Sequence, residues 1–318
     1  MIRPFTPNDY RAVARLINAA YTDAQGRPVA AITAEELRQS DVERPPHCHA
    51  GRWVAEQDGM IVGAVEYDQS AYRYHPHKFW MDAYVYPNYQ RQGIGAALFQ
   101  RLMVALAPYQ PVSLRCNLRE DQVHGVAFLK RRGFVEALRS WESYLEVAKF
   151  DTGSFAEDLE RVARLGIEIK TLAELEQDPE RDRKLYNLSW EFHQDEPDPD
   201  IPARESFEDF VSGELGYPGL LPEAFFVAVH GREYVGASYH FRDPERGVLR
   251  LAQTGVARLY RQKGIALALR LRGVAYAQAR GYTSLRASNT SLNQAMVRID
   301  ARLGFRKLPA WIDFVKTF

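Results

Sequence analysis

The chain has 318 residues, 46% of them hydrophobic and 26% charged, with Lys+Arg and Asp+Glu both at 41. That length points to about two domains, each long enough to bury its own core, and the balanced charge argues against a general electrostatic draw toward nucleic acid or an anionic membrane. The only cysteines are Cys48 and Cys116, neither in a C-x-x-C spacing, which argues against a disulfide framework. No apolar run opens the chain, and no stretch approaches the roughly 18 to 20 apolar residues of a membrane span. A soluble, cytoplasmic protein with no nucleic-acid or membrane partner is expected, as a monomer or a homodimer.

In chain order, Ile2–Thr6 reads as a short first strand. Val54-Ala55 and Val62-Gly63-Ala64 flank the turn Asp58-Gly59, a hairpin signature. Phe79–Tyr86 reads as a strand stopped by Pro87. The turn Gln90-Arg91-Gln92-Gly93-Ile94-Gly95-Ala96 then opens a helix over 94–106, striped by Ile94, Leu98, Leu102, Ala105 and Leu106. Gly133-Phe134 follows, and then a closing strand around Trp141 and Tyr144. Asp151–Ser154 breaks that strand, and a helix over 155–165 ends at Gly166.

The same series then repeats. Ile167–Thr171 matches the first strand, and Val227-Ala228, His230-Gly231 and Val235-Gly236-Ala237 match the hairpin. A strand over Val248–Val256 leads into Arg261-Gln262-Lys263-Gly264-Ile265-Ala266 and a helix striped by Leu267, Leu271 and Val274 that stops at Gly281. Gly93 to Gly264 is 171 positions, and so is Gly133 to Gly304. Trp311 and Phe314 mark the second closing strand. The expected division is therefore a first domain over 1–148, a linker helix over 149–166 and a second domain over 167–318.

Each glycine turn joins a strand to a helix N-terminus, where unpaired backbone N–H groups and partial positive charge make an anion site. Gly93 and Gly95 let a pyrophosphate approach the main chain, with Arg91, or Arg261 and Lys263, adding charge; the bland alternative is a helix-capping turn with solvated charges. The P-loop Gly-Lys-Ser/Thr is absent from both copies. A dinucleotide fingerprint fails at Leu98, where a third small residue belongs, and at Arg115, where an acid belongs.

The pattern Gln/Arg-x-x-Gly-x-Gly/Ala, with its strand, helix and downstream Gly-Phe, resembles the acetyl-CoA loop of the GNAT (GCN5-related) N-acetyltransferase superfamily. The likeness spans nearly the whole chain, in a tandem form similar to mycothiol synthase-type double-GNAT proteins. It implies an α/β (α+β) fold, two tandem GNAT folds, each a mixed, mostly antiparallel central sheet flanked by helices. It also implies acetyl transfer from acetyl-CoA, with no metal, to a primary amine of a small molecule or peptide. CoA contacts would come from Val85, Gln90, Arg91, Gln92, Gly93, Ile94, Gly95 and Ala96 in one copy. In the other they would come from Val256, Arg261, Gln262, Lys263, Gly264, Ile265, Ala266 and Asn293. An N–H near Val85 or Val256 would stabilise the thioester oxygen.

The family's tyrosine acid, four residues before the Gly of Gly-Phe, is replaced by Leu129 in the first copy and Asp300 in the second; Gln122 and Gly125 also depart from the pattern, as does Met296. Asp82 stands where the family often has a base, and Thr254 lies in a Thr-Gly-Val that resembles a subset of the family. Asp300 would act as an acid only with a raised pKa; a buried or surface carboxylate is the alternative. Because it keeps Asn293, the second copy is expected to be the active one. The alternative is a non-catalytic or half-degenerate acyl-CoA-binding scaffold. Phe192, His193, Asp195, Tyr21 and Asp23 are candidate acceptor walls, and the acidic loop 195–202 is either a lid or plain surface. His240, His47-x-His49 and His75-x-His77 are taken as structural.

Overall fold

A computed structural model describes the chain except for residue 21 and residues 23–30, 70–73, 196–203 and 244. Tyr21, Asp23 and most of the acidic loop therefore lie outside the described residues. The chain divides into two compact units, one of Met1–Ala137 with Trp311–Phe318, the other of Leu138–Ala310.

The chain runs β1 (Ile2–Pro4), α1 (Tyr10–Ala20), α2 (Ala34–Glu43), β2 (Gly51–Gln57), β3 (Met60–Asp68), β4 (Lys78–Val85), α3 (Ile94–Leu106), β5 (Ser113–Arg119) and α4 (Val123–Lys130). It continues through β6 (Val135–Glu146), α5 (Ala156–Arg164), β7 (Ile167–Thr171), α6 (Arg181–Asp195), α7 (Phe207–Phe210), β8 (Phe226–His230), β9 (Glu233–Arg242) and β10 (Val248–Val256). The last elements are α8 (Ile265–Ala279), β11 (Ser284–Thr290), α9 (Gln294–Arg302), β12 (Arg306–Lys307) and β13 (Trp311–Thr317).

In the first unit the sheet order is β1-β2-β3-β4-β5-β13. Every pairing is antiparallel except β4 with β5. One face packs Leu98, Leu102 and Leu106 of α3 onto Val65, Phe79, Met81 and Leu114. The other packs Tyr10, Val13, Leu16 and Ile17 of α1 onto Val54, Ala64 and Tyr84. Both faces are covered by helices, so the strands carry apolar residues on both sides, as the near-continuous run of β4 requires.

The second unit repeats this as β6-β11-β10-β9-β8-β7, with β10 and β11 the parallel pair and β12 added beside β6. Its β10 carries an irregularity against β9 between Leu251 and Gln253 that the β4 pairing lacks.

The division differs from the one expected at 148–166. β6 closes the second unit's sheet by pairing with β11, and β13 closes the first unit's sheet by pairing with β5. Each closing strand thus completes the sheet of the other copy, which sequence offsets cannot register because the two strands have similar patterns. The helix α5 is no free linker: its Val162 is buried with Ile167, Ala268 and Leu269 in the second unit's core.

Phe314 is fully buried against β5 in the first unit. Phe314→Ala is expected to cost about 3 kcal/mol. Hydrogen exchange should show the loss as faster amide exchange in β5, with β10 unchanged.

Candidate functional site

The two glycine turns are built alike. Arg91 and Gln262 both hold a left-handed backbone, at φ 64° and 61°, and Gly93 and Gly264 follow at φ 85° as the caps of α3 and α8. A side chain at either glycine would be strained. Gly95 is a different case: a Cβ there would only touch Phe128 at 3.5 Å and Val85 at 3.9 Å, which explains why Ala266 stands at the matching place.

The first residue of each turn has a mechanical role. Gln90 Nε2 donates to Val85 O at 3.2 Å, and Arg261 Nε donates to Val256 O at 3.0 Å. Each ties off the end of its strand. Arg261 was expected at a phosphate rim, but its guanidinium is engaged further by Asp195, which also binds Arg258 at 2.8 Å.

β4 and β5 are in register only over Lys78–Trp80 with Ser113–Arg115. Beyond Trp80 the strands part. Tyr86 N donates to Val62 O on β3 at 3.0 Å. Backbone groups alternate sides along an antiparallel strand, so the N–H of Val85 points the other way, into the opening beside β5. Ala257 N donates to Val235 O at 2.9 Å, which aims the N–H of Val256 likewise.

In the first unit this opening is a cleft of about 550 Å³ whose lining includes Val85, Gln90, Arg91, Gly93, Gly95 and Ala96 from the strand end and turn. Tyr84, Gln122, Phe128, Arg131 and Arg132 also line it and were not among the expected contacts. Their signal was the 171-residue offset itself: Arg131 keeps its type at Arg302, whereas Phe128 and Arg132 have no counterpart of their own kind in the second copy. Gln92 is turned to the loop, donating to Asn88 O at 3.1 Å, and Ile94 packs beneath the sheet.

Asp82 lies on β4 opposite Glu66 of β3. Burial, then the charges of Glu66 and Asp68, push its pKa up to about 7, against a smaller opposing pull from Arg52. On β5, Cys116 is buried and its thiol is pushed far up by burial and by Asp82 and Asp313.

The second unit differs at each matching place. Gly255 stands where the first copy has Tyr84, and Phe192 of α6 takes the space; a Cβ on Gly255 would lie 2.3 Å from the Phe192 ring. Thr254, expected to be catalytic, shares a 2.9 Å hydrogen bond with Ser238 on β9. Asn293 caps α9, accepting from Met296 N at 3.3 Å. Lys263 lies over the Tyr260 ring at 4.9 Å, and Ile265 is buried.

Asp300, the other expected catalytic group, is held in a buried triad with Arg270 and Asn289. Burial raises its pKa, while Arg270 acts in the opposite direction. Both of its oxygens are engaged, one by Arg270 and one by Asn289. At the same offset the first copy has Leu118, Phe99 and Leu129, so an apolar trio has been exchanged for a polar one.

His240 is a core residue: Nδ1 lies 2.7 Å from Ala224 O, and burial lowers its pKa to about 4. His193 lies 3.5 Å from Ser189 Oγ. Among the described residues, no group of three or more His, Cys, Asp or Glu is placed to hold a metal, and no helix is long and apolar enough to cross a membrane.

A parallel strand pair that parts over a glycine turn, present twice, defines a tandem GNAT fold. The GNAT acetyltransferase domain profile matches residues 49–136 and the GNAT acetyltransferase family profile matches residues 183–305. The chain belongs to the GNAT acetyltransferase family and carries two of its domains in tandem.

Among solved structures, it is similar to a GCN5-related N-acetyltransferase from Sphaerobacter thermophilus, with 22% identity and TM-score 0.66 over 100% of this chain and 95% of that one. It is also similar to a tandem GNAT protein of the clavulanic acid biosynthesis pathway, with 17% identity and TM-score 0.62 over 100% and 98%. A third likeness is to the glucosamine N-acetyltransferase region of a fungal multi-domain β-N-acetylglucosaminidase, with 13% identity and TM-score 0.65 over 99% and 38%. At these identities the likeness is one of fold. No curated protein matches the chain.

A carboxylate whose folded pKa lies above its ordinary value of 3.8 makes folding progressively less favourable as pH rises from that value to the folded one. The penalty of Asp82 is thus complete above about pH 7 and fades as pH falls toward 4. Asp82→Asn is expected to raise the melting temperature by about 3 °C at pH 8 and by little at pH 4.5. Thermal scans at the two pH values check this.

Proposed function

We propose that the chain is an acetyl-CoA-dependent N-acetyltransferase, acting on a primary amine of a small molecule or peptide by direct attack, and that the first unit carries the reaction. The observation that supports this most is the N–H of Val85 aimed into the cleft where β4 leaves β5, above the left-handed turn at Gly93. The expectation from Asn293 favoured the second unit. The engaged side chains of Asn293, Asp300, Arg258 and Arg261 and the ring of Phe192 weigh against it.

Acetyl-CoA, when bound, supplies the acyl group as an activated thioester. The first N–H groups of α3, with Gly93, Ile94, Gly95 and Ala96, would hold its pyrophosphate. The N–H of Val85 would donate to the thioester oxygen as negative charge develops there. Asp82 is the base, directly or through one water: an acceptor amine with an ordinary pKa of about 10.4 arrives protonated, and a carboxylate with a pKa near 7 is matched to accept that proton at neutral pH. No tyrosine replaces Leu129, so the departing thiolate takes its proton from solvent at the open side of the cleft. The second unit reads as the non-catalytic half.

Gly93→Glu places a carboxylate at the pyrophosphate position and is expected to abolish acetyl transfer, by about 100-fold or more. Gly264→Glu should leave at least half of the rate. Steady-state assays with an amine panel decide between the halves; the reverse pattern would assign catalysis to the second unit.

Asp82 must be ionised to act as a base, so kcat/KM should climb as pH rises through about 7 and level off above it. Asp82→Asn should lower the plateau by about 100-fold and remove that limb. A pH profile of both proteins checks it.

A further inference from the structure

The arginines of the first cleft are set apart by what they lack. Arg91, Arg131 and Arg132 all line it, and among the described residues none of them has a carboxylate within ion-pair distance. Asp121 lines the same cleft, but its carboxylate is engaged by Arg119.

Arg131 and Arg132 end α4. Arg131 Nε donates to Ala127 O at 3.1 Å, and Arg132 Nη1 donates to Phe128 O at 3.2 Å. The Arg132 guanidinium lies 3.4 Å from the centre of the Phe128 ring and 5.3 Å from that of Phe99, so its plane is fixed by stacking. Lys316 Nζ binds Arg132 O at 2.8 Å and brings a further cation to the same helix end. Burial, then the neighbouring charge of Arg131, lowers the pKa of Arg132.

The second unit pairs Arg258, Arg261 and Arg302 with its own carboxylates. Arg302, at the place of Arg131, is bound by Asp158 at 2.6 Å, and Asp158 also engages Arg161. Arg258 and Arg261 share Asp195. Leu303 and Gln262 stand where the first copy has Arg132 and Arg91. One copy of the fold therefore supplies its anions from within, and the other leaves its cations facing a cleft.

We propose that Arg131 and Arg132 form a phosphomonoester subsite that reads the ribose 3′-phosphate of coenzyme A, separate from the pyrophosphate position at the turn of Gly93. Two guanidinium groups lining one cleft, one of them held by stacking on Phe128, offer donors to the several oxygens of a phosphate dianion. The subsite makes the first cleft selective for CoA over 3′-dephospho-CoA. This rests on the acetyl-CoA reading of the cleft given above.

The test is calorimetric titration of the full-length protein with CoA and with 3′-dephospho-CoA at about 0.1 M salt, where exposed charges still interact. CoA should bind about ten-fold tighter or more, at one site per chain. The double variant Arg131→Gln, Arg132→Gln should bring the two affinities within about three-fold by weakening CoA alone. Arg131→Gln, which alters only an exposed side chain, should close part of the gap and serves if the double variant unfolds.

Equal affinities in the unaltered protein, or a ratio unchanged in the variants, would overturn the subsite while leaving the acetyl-CoA reading intact. If neither ligand binds, both fall together.

Discussion

The parting of β4 from β5 after Trp80 is the constraint on which the first unit's site depends. A parallel pair inside a covered sheet normally satisfies its backbone groups along its whole length. Here the pairing stops, and the Val85 carbonyl on the open side is met by the side chain of Gln90. The N–H of the same residue is left facing the cleft. The turn that follows sends the chain back as α3 through two left-handed residues, Arg91 and Gly93, and so sets a helix N-terminus beside that N–H. A single interruption of hydrogen bonding thus leaves a strand N–H and a helix N-terminus opening on one cleft.

The second unit keeps the frame and changes what surrounds it. Its strands part at the same register, after Arg250 and Arg286, and Arg261 ties off Val256 as Gln90 ties off Val85. The chemistry around that frame has been rewritten in sets. Leu118, Phe99 and Leu129 become Asn289, Arg270 and Asp300, three buried polar groups that bond one another while Arg270 Nε stays unpaired. Such an exchange is tolerable only if made together, because any one of these groups alone in a core would be unsatisfied and costly. The same logic joins Tyr84 in one copy with Gly255 and Phe192 in the other: ring volume is conserved while the residue supplying it changes.

Much of this was readable along the chain. The equal spacing of Gly93 with Gly264 and of Gly133 with Gly304 gave the tandem fold, and the turn pattern located the left-handed glycine caps of α3 and α8. Asp82 was singled out from its place on the strand, and the structure adds the raised pKa of its buried carboxyl. Other assignments failed for a shared reason. Thr254, Asn293, Asp300 and Arg261 each have the right type at the right spacing, yet each is engaged by Ser238, Met296, Arg270 or Asp195, partners distant in sequence or unmarked by any motif. The division at 148–166 failed because β6 and β13 carry similar patterns and exchange their sheets.

The sequence by itself determined what is periodic or local: two copies, the alternation of strand and helix, and the left-handed glycine that caps each helix. These follow from side-chain spacing and backbone sterics, which act over a few residues. Only the tertiary structure decided which polar groups remain available. A Val85 N–H left facing a cleft and the unmatched Arg131 and Arg132 are defined by what does not come to meet them, and the raised carboxyl of Asp82 by burial and the acids that do. That depends on residues brought near from elsewhere in the chain, and on whether the fold delivers a counter-charge or leaves the place open.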